Sequence, residues 1–93
     1  MSRYRILPQA ADDISEAAHF LESRQPTYGL RLLNRIRQAI ESILRFPESD
    51  PKVGRELRRR RVWQFHFDVL YAQRDGKLLI VALSHHSRRP NWW

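Results

Sequence analysis

An Asp-Gly dipeptide between two apolar runs is the feature that most constrains the fold of this chain. Apolar and polar residues alternate from Trp63 to Tyr71, a period of two that is typical of a strand with one buried face. The Arg-Asp-Gly-Lys segment at 74–77 favours a tight hairpin turn, because Asp and Gly tolerate positive φ. The next run, Leu78–Leu83, is apolar on both faces. The sequence therefore predicts a β-hairpin whose second strand lies centrally in a sheet.

Two helices are predicted before this hairpin. From Ala10 to Ser23 small and branched apolar residues recur at three- and four-residue spacing, which indicates an amphipathic helix. Pro26 is well placed to begin a second helix. The apolar stripe of that helix is predicted to be Leu33, Ile36, Ile40 and Ile43, with Leu30, Leu32 and Leu44 beside it. A short break between the helices favours an antiparallel helix hairpin packed on a sheet.

The order of the elements predicts the fold class. Arg3–Leu7 is interpreted as a short first strand that pairs near the last strand, and residues 48–54 as a loop. Strand, helix, helix and three strands then follow one another. This β-α-α-β-β-β order is typical of an α+β fold with the helix hairpin on one face of a mostly antiparallel sheet. A chain of 93 residues is expected to form one domain, residues 1–93.

The positive charge of the chain is carried almost entirely by arginine. Seventeen Lys and Arg face ten Asp and Glu, a formal net charge of +7, and only Lys52 and Lys77 are lysines. Arginine binds phosphate and carboxylate through two parallel hydrogen bonds, so the composition favours nucleic acid or an acidic protein as partner; the alternative is a solvated basic surface. There is no cysteine, which excludes disulfides and thiolate chemistry. No run has signal or transmembrane character, so we expect a cytoplasmic protein without membrane contact.

The four arginines Arg58–Arg61 are expected on the strand before the aromatic run. On a strand, alternate members of the run point to opposite faces. At most one pair can then face solvent, and the other requires an edge position or an acidic partner, because burial of an unpaired charge is very costly. Glu56 and Asp68 are the candidate partners within the chain.

Two adjacent histidines, His85 and His86, end the last strand. Neighbouring residues of a strand face opposite ways, so a metal site is not expected. Either histidine could act as a general acid or base, or could simply bond to the backbone. Cleavage of RNA without a metal needs a base, cations for the phosphate and an acid, which Glu56, the arginines and a histidine could supply. No glycine-rich phosphate loop or nucleophile elbow is present, and no cofactor is expected.

The C-terminal tail extends the basic region. Arg88 and Arg89 come from a segment that the strand order can bring to the same end of the sheet as the arginine run. Trp92 and Trp93 offer flat apolar surfaces of the kind enriched at interface hot spots, or alternatively they cover the core. We predict that the target-binding residues are Arg58, Arg59, Arg60, Arg61, Arg88, Arg89, Trp92 and Trp93.

Taken in order, these segments resemble the RelE/ParE superfamily of toxins from bacterial type II toxin–antitoxin systems, and more closely its ParE branch. Pro8–Ile14 resembles the family's strand-to-helix opening, and Gly54–Arg58 its entry to the sheet. Phe65–Tyr71 is similar to the aromatic strand that ends in tyrosine. Val81–Trp92 resembles the ParE ending of histidine, basic residues, proline and an aromatic residue.

The resemblance implies the β-α-α-β-β-β fold, an acidic cognate antitoxin that wraps the toxin in a hetero-oligomer, and growth arrest through DNA gyrase without catalysis. RelE-type relatives instead cut mRNA on the ribosome and tend to carry a late tyrosine, where this chain has His86. We therefore expect a gyrase inhibitor with no catalytic residues. The alternative is a RelE-like ribosome-dependent mRNA endonuclease; a non-toxic DNA-binding adaptor fits the charge but not the family pattern. In the RelE-like endonuclease alternative, the catalytic residues would be Glu56, Arg59, Arg61, His85 and His86.

Overall fold

The computed structural model describes residues 3–85 and contains two helices and four strands within them. The elements are β1 (Tyr4–Ile6), α1 (Pro8–Arg24), α2 (Tyr28–Arg45), β2 (Arg58–Arg61), β3 (Phe67–Arg74) and β4 (Lys77–His85). Both helices pack on one face of the sheet, α1 against β4 and α2 against β2. The predicted α+β fold and its β-α-α-β-β-β order are confirmed. No helix in this part of the chain has the length and apolar character needed to cross a membrane.

The four strands form one mixed sheet in the order β1-β4-β3-β2. β1 runs parallel to β4, and the other two pairs are antiparallel. β4 is therefore central and has the first strand as its second neighbour, as predicted. The turn before it has Asp75 at φ 53° and Gly76 at φ 75°. Positive φ at both positions is typical of the tight turn that matches the twist of a hairpin.

The aromatic run differs from the prediction, because β3 begins at Phe67 and not at Trp63. Residues 62–66 form the β2–β3 loop, in which the N–H of Phe65 donates to the carbonyl of Val62 (3.1 Å) and Gln64 has φ 71°. β3 is also buried on both faces, since Asp68, Leu70 and Ala72 are inaccessible as well as Val69 and Tyr71. Val69 and Tyr71 belong to the core that includes the helices, and the residues that alternate with them are buried although they point to the other face, so the prediction of a single buried face was wrong.

The buried face of α2 is rotated from the predicted stripe. The residues of this helix that are buried are Gly29, Leu32, Ile36, Ala39, Ile40 and Ile43. Leu33, which was predicted to lie in the core, is 41% exposed, and Leu30 is 59% exposed. Consecutive helical residues are about 100° apart around the axis. Burial of Leu32 against the sheet therefore directs Leu33 outward.

The two helices approach each other closely at Gly29. A Cβ atom at this position would lie 2.5 Å from the carbonyl oxygen of Ala18, so no larger residue fits without movement of the backbone. The turn between the helices is held by Glu22, whose carboxylate accepts bonds from the N–H groups of Thr27 (2.9 Å) and Gly29 (3.0 Å). A carboxylate from α1 thus satisfies the first donors of α2 and complements its dipole.

Asp13 of α1 fixes the helix to the sheet where β1 has ended. β1 pairs with β4 only as far as Ile6 and Ile80. Beyond that point the backbone N–H of Leu83 donates to Asp13 Oδ2 at 3.1 Å. A side chain of α1 therefore satisfies a strand donor that would otherwise be buried without a partner.

Candidate functional site

The four arginines of β2 lie on an edge strand of the sheet and alternate between its faces, as predicted. Arg58 pairs with Tyr71 and Arg60 with Val69, two residues of the core under the helices. Arg59 and Arg61 therefore point to the face that carries no helix. Charged side chains on an edge strand also discourage its pairing with another chain. The two pairs of arginines have different surroundings.

Arg58 and Arg60 hold the loop between α2 and β2. Arg60 Nε lies 2.8 and 2.7 Å from the two carboxylate oxygens of Asp50, and its Nη1 donates to Ser42 Oγ at 2.6 Å. Arg58 donates to the backbone carbonyl of Asp50. The Arg60 side chain is only 18% exposed. Both guanidinium groups are thus engaged by residues of this chain.

Asp50 also accepts a hydrogen bond of 2.6 Å from the hydroxyl of Tyr71. Burial raises the pKa of the Tyr71 phenol well above its ordinary value, and the hydrogen bond and negative charge of Asp50 raise it further. The phenol is therefore a neutral donor at physiological pH. Sequence reasoning missed Asp50, because it lies in a polar loop with no periodicity that would indicate a buried partner.

Arg59 and Arg61 lie on either side of Asp68. Their Nε atoms are 3.9 and 3.3 Å from its carboxylate oxygens, which confirms Asp68 as a partner of the arginine run. The carboxylate side chain is 5% exposed, whereas the two arginine side chains are 46% and 52% exposed. Two exposed cations around one buried anion leave a net positive charge on this face, which suits a phosphate or a carboxylate.

Glu56 and His85, the candidate base and acid, lie at opposite ends of the sheet. Glu56 is paired with Arg74 at 3.4 Å and not with the arginine run, so its predicted partner was wrong. His85 is opposite Phe67 in the sheet and contacts its ring edge-on at 5.1 Å between centroids. Phe67 and Arg74 are the two ends of β3, and these strand ends are about 23 Å apart at 3.3 Å per residue. The structure does not bring them together.

His85 also lies on the other face of the sheet from Arg59 and Arg61. Its partner Phe67 packs against the core under the helices, while the two arginines point away from the helices. The other predicted site residues are His86, Arg88, Arg89, Trp92 and Trp93, and they lie outside the described residues. Within residues 3–85, no three His, Asp or Glu side chains are grouped so that they could hold a metal ion.

An apolar groove opens between the two helices and the end of β1. It has a volume of about 630 Å³. Its walls include Ile14 and Ala18 of α1, Leu30 and Leu33 of α2, and Ile6. Leu30, Leu33 and Ile6 are 59%, 41% and 38% exposed. Exposed apolar side chains that line one groove are typical of a protein–protein contact.

A second, polar cleft lies between α2 and the β2–β3 loop. It has a volume of about 760 Å³. Its lining residues are Tyr28, Arg31, Asn34, Arg35, Gln38, Gln64 and Phe65. The Arg35 guanidinium lies 4.3 Å from the centroid of the Trp63 ring, and Trp63 is 63% exposed. The sequence did not predict this cleft, because Trp63 was assigned to a strand.

A comparison with protein families gives a match over most of the chain. The family model for the ParE toxin of the type II toxin–antitoxin system, parDE, matches residues 4–90. The matched range includes all six helices and strands that the structure describes. No curated protein matched the chain in a sequence search.

Proposed function

Because the chain belongs to the ParE toxin family of type II toxin–antitoxin systems, we propose that it arrests growth by binding DNA gyrase in the cytoplasm, and that its cognate antitoxin neutralises it. The family match over residues 4–90 is the observation that carries this proposal. In this proposal gyrase is stalled together with cleaved DNA, and the toxin itself catalyses no reaction.

The separation of Glu56 and His85 supports inhibition by binding over mRNA cleavage. A general base and a general acid must both reach the same scissile phosphate, within hydrogen-bond distance or through one water molecule. Glu56 pairs with Arg74 at one end of β3, and His85 packs on Phe67 at the other. A RelE-like endonuclease that uses this pair would have to bring together groups held at opposite ends of β3, a strand about 23 Å long.

We propose that the target contacts the helix-free face of the sheet through Arg59 and Arg61. Their side chains are half exposed and lie on an edge strand, where a partner can reach both. Arg88, Arg89, Trp92 and Trp93 remain part of this proposal on the sequence alone. Arg58 and Arg60 contribute indirectly, since their guanidinium groups hold the neighbouring loop.

We propose that the antitoxin occupies the apolar groove between α1 and α2. Leu30, Leu33 and Ile6 offer the spaced apolar contacts that an amphipathic helix requires. The net charge of +7 favours an acidic partner and accelerates the encounter. An antitoxin helix with an apolar face and acidic flanks fits both features.

The test uses purified protein with gyrase and relaxed plasmid DNA, and in parallel with translating ribosomes and mRNA. We expect loss of supercoiling, accumulation of cleaved plasmid and intact mRNA, and we expect the cognate antitoxin to reverse the effect. Cells that produce the protein should show a DNA-damage response. Unchanged supercoiling with cleaved mRNA would replace the proposal with the endonuclease.

A further inference from the structure

The polar cleft beside Trp63 carries two arginines whose charge is not neutralised. Arg35 is held by two neutral amides, with Nη1 donating to Gln38 Oε1 and Nη2 to Gln64 Oε1, each at 2.9 Å. Arg31 also lines the cleft. Neither arginine forms an ion pair with a carboxylate of residues 3–85. In contrast, Arg60 and Arg61 are paired with Asp50 and Asp68.

The guanidinium of Arg35 is fixed in place before any ligand arrives. Its two amide contacts come from different elements, Gln38 from α2 and Gln64 from the β2–β3 loop. The loop reaches this position through the positive φ of Gln64, 71°. A positioned cation loses less conformational entropy on binding than a free one, so the cleft is suited to hold an anion.

Trp63 adds a flat apolar surface next to this cation. Arg35 covers one face of the indole at 4.3 Å, yet 63% of the residue is exposed. An exposed aromatic ring stacked on a guanidinium resembles the platforms on which single-stranded bases stack.

We propose that this cleft binds single-stranded nucleic acid together with Trp63, which does not line the cleft but adjoins it through Arg35. A base would stack on Trp63, and Arg31 and Arg35 would contact the backbone phosphates. The side-chain amides of Asn34, Gln38 and Gln64 line the same cleft and can bond to base edges. The inference goes beyond the proposed function, because it depends neither on gyrase as the target nor on Arg59 and Arg61.

The combination of groups favours nucleic acid over an acidic peptide. A carboxylate needs only the two guanidinium groups, and it leaves the indole and the amides unused. A nucleotide uses the guanidinium groups, the indole and the amides, since it presents a charged phosphate, a flat base and donors and acceptors on the base edge. No Asp or Glu lines the cleft to repel the phosphate.

The test measures binding of a fluorescein-labelled 12-nucleotide single strand by anisotropy in a salt series. The double variant W63A/R35Q removes the stacked pair and one positive charge. A matched control exists on α1, where Arg24 stacks over Phe20 at 4.8 Å from the ring centroid, on a helix that contributes no residue to the lining of the cleft. The control F20A/R24Q makes the same kind of change elsewhere.

We expect W63A/R35Q to weaken binding at least tenfold and F20A/R24Q to change it less than threefold. Loss of the Arg35 contact should also reduce the slope of log K against log salt by about 0.7. R31Q removes only an exposed side chain and should weaken binding with the fold intact, which covers the case that the double variant does not fold. Circular dichroism checks the fold of each variant.

Three results would overturn the inference. The first is no detectable binding at low salt, and the second is an equal loss in the two double variants, which would indicate non-specific attraction. The third is displacement of the oligonucleotide by an acidic peptide whose binding depends on Arg35 but not on Trp63, which would assign the cleft to a protein partner. A duplex of the same length should bind more weakly, because its bases are not available to stack.

Discussion

Arg60 holds Asp50 with its Nε atom 2.8 and 2.7 Å from the two carboxylate oxygens, and so ties the loop that follows α2 to the edge strand β2. The pair is largely desolvated, with side chains 18% and 15% exposed. The hydroxyl of Tyr71 donates to the same carboxylate. Asp50 thus neutralises the partly buried Arg60 guanidinium and accepts the hydrogen bond of the buried Tyr71 hydroxyl.

Asp50→Ala should destabilise the fold by about 3 kcal/mol, because it leaves the Arg60 cation without its carboxylate and the Tyr71 hydroxyl without its acceptor. Urea denaturation gives the free energy of unfolding. The control is Glu56→Ala, which breaks the exposed pair with Arg74 and should cost less than about 0.5 kcal/mol. Equal losses in the two variants would refute the structural role of Asp50.

The raised pKa of Tyr71 predicts a loss of stability in alkali. An unfolded tyrosine ionises near pH 10, whereas the folded phenol stays protonated above that pH. The unfolded state therefore binds fewer protons above about pH 10, and stability falls as the pH rises, by up to about 1.4 kcal/mol per pH unit. Below pH 10 the protonated Tyr71 phenol makes its full contribution to the free energy of unfolding. In Tyr71→Phe the free energy of unfolding, measured by urea denaturation, should fall less steeply between pH 9 and 11.5 than in the unchanged protein. An equally steep fall would contradict the raised pKa of Tyr71.

The order of elements could be predicted because it depends on local patterns. The Asp-Gly turn and the helical spacing act within a few residues, and the structure has the turn between β3 and β4 and the helix α1 where these patterns predict them. Asp68 was predicted as a partner because it lies on the strand next to the arginine run. Alternation along a strand also gave the faces of Arg59 and Arg61 correctly.

What could not be predicted depends on tertiary packing. Leu33 follows a helical apolar stripe as well as Leu32 does, and only the position of the sheet and of α1 decides which is buried. Trp63 and Phe65 fit the alternation of β3, but the left-handed backbone of Gln64 lies between them, and β3 begins only at Phe67. Asp50 reaches Arg60 across a loop, a closure that no local spacing indicates.

Gly29→Ala should destabilise the protein by about 1–3 kcal/mol. The added Cβ would lie 2.5 Å from the Ala18 carbonyl oxygen, so the helices must separate, and this exceeds the gain of up to about 1 kcal/mol in helix propensity. Gly54→Ala is the matched control, because the nearest atoms there are 3.9 Å away. Thermal unfolding compares the two, and a melting temperature of Gly29→Ala at or above that of the control would contradict the close approach.

Leu30→Ser/Leu33→Ser should weaken binding of the cognate antitoxin about 100-fold and leave the fold nearly unchanged. Both side chains are already exposed in the free protein, so their removal should change the free energy of unfolding by less than about 0.5 kcal/mol. In a complex each would bury apolar area worth roughly 1.5 kcal/mol. Calorimetry measures the affinity.

The control for the groove is Phe20→Ser/Phe46→Ser, which removes two phenylalanines that are 54% and 60% exposed and lie outside the groove. It should bind the antitoxin as the unchanged protein does. If both double variants bind equally well, the antitoxin does not occupy the groove between α1 and α2.

Glu56→Gln/His85→Ala should reduce toxicity less than threefold, because a toxin that acts by binding needs neither a general base nor a general acid. If the protein is an endonuclease that uses them, each group contributes about 10²–10⁴-fold, and the double variant should be harmless. Colony counts after induction measure toxicity, and circular dichroism with antitoxin binding confirms the fold. Arg88→Glu/Arg89→Glu serves as the positive control, since reversal of charge in the predicted target-binding tail should abolish toxicity. A folded, antitoxin-binding Glu56→Gln/His85→Ala variant without toxicity would contradict the proposal and favour the endonuclease.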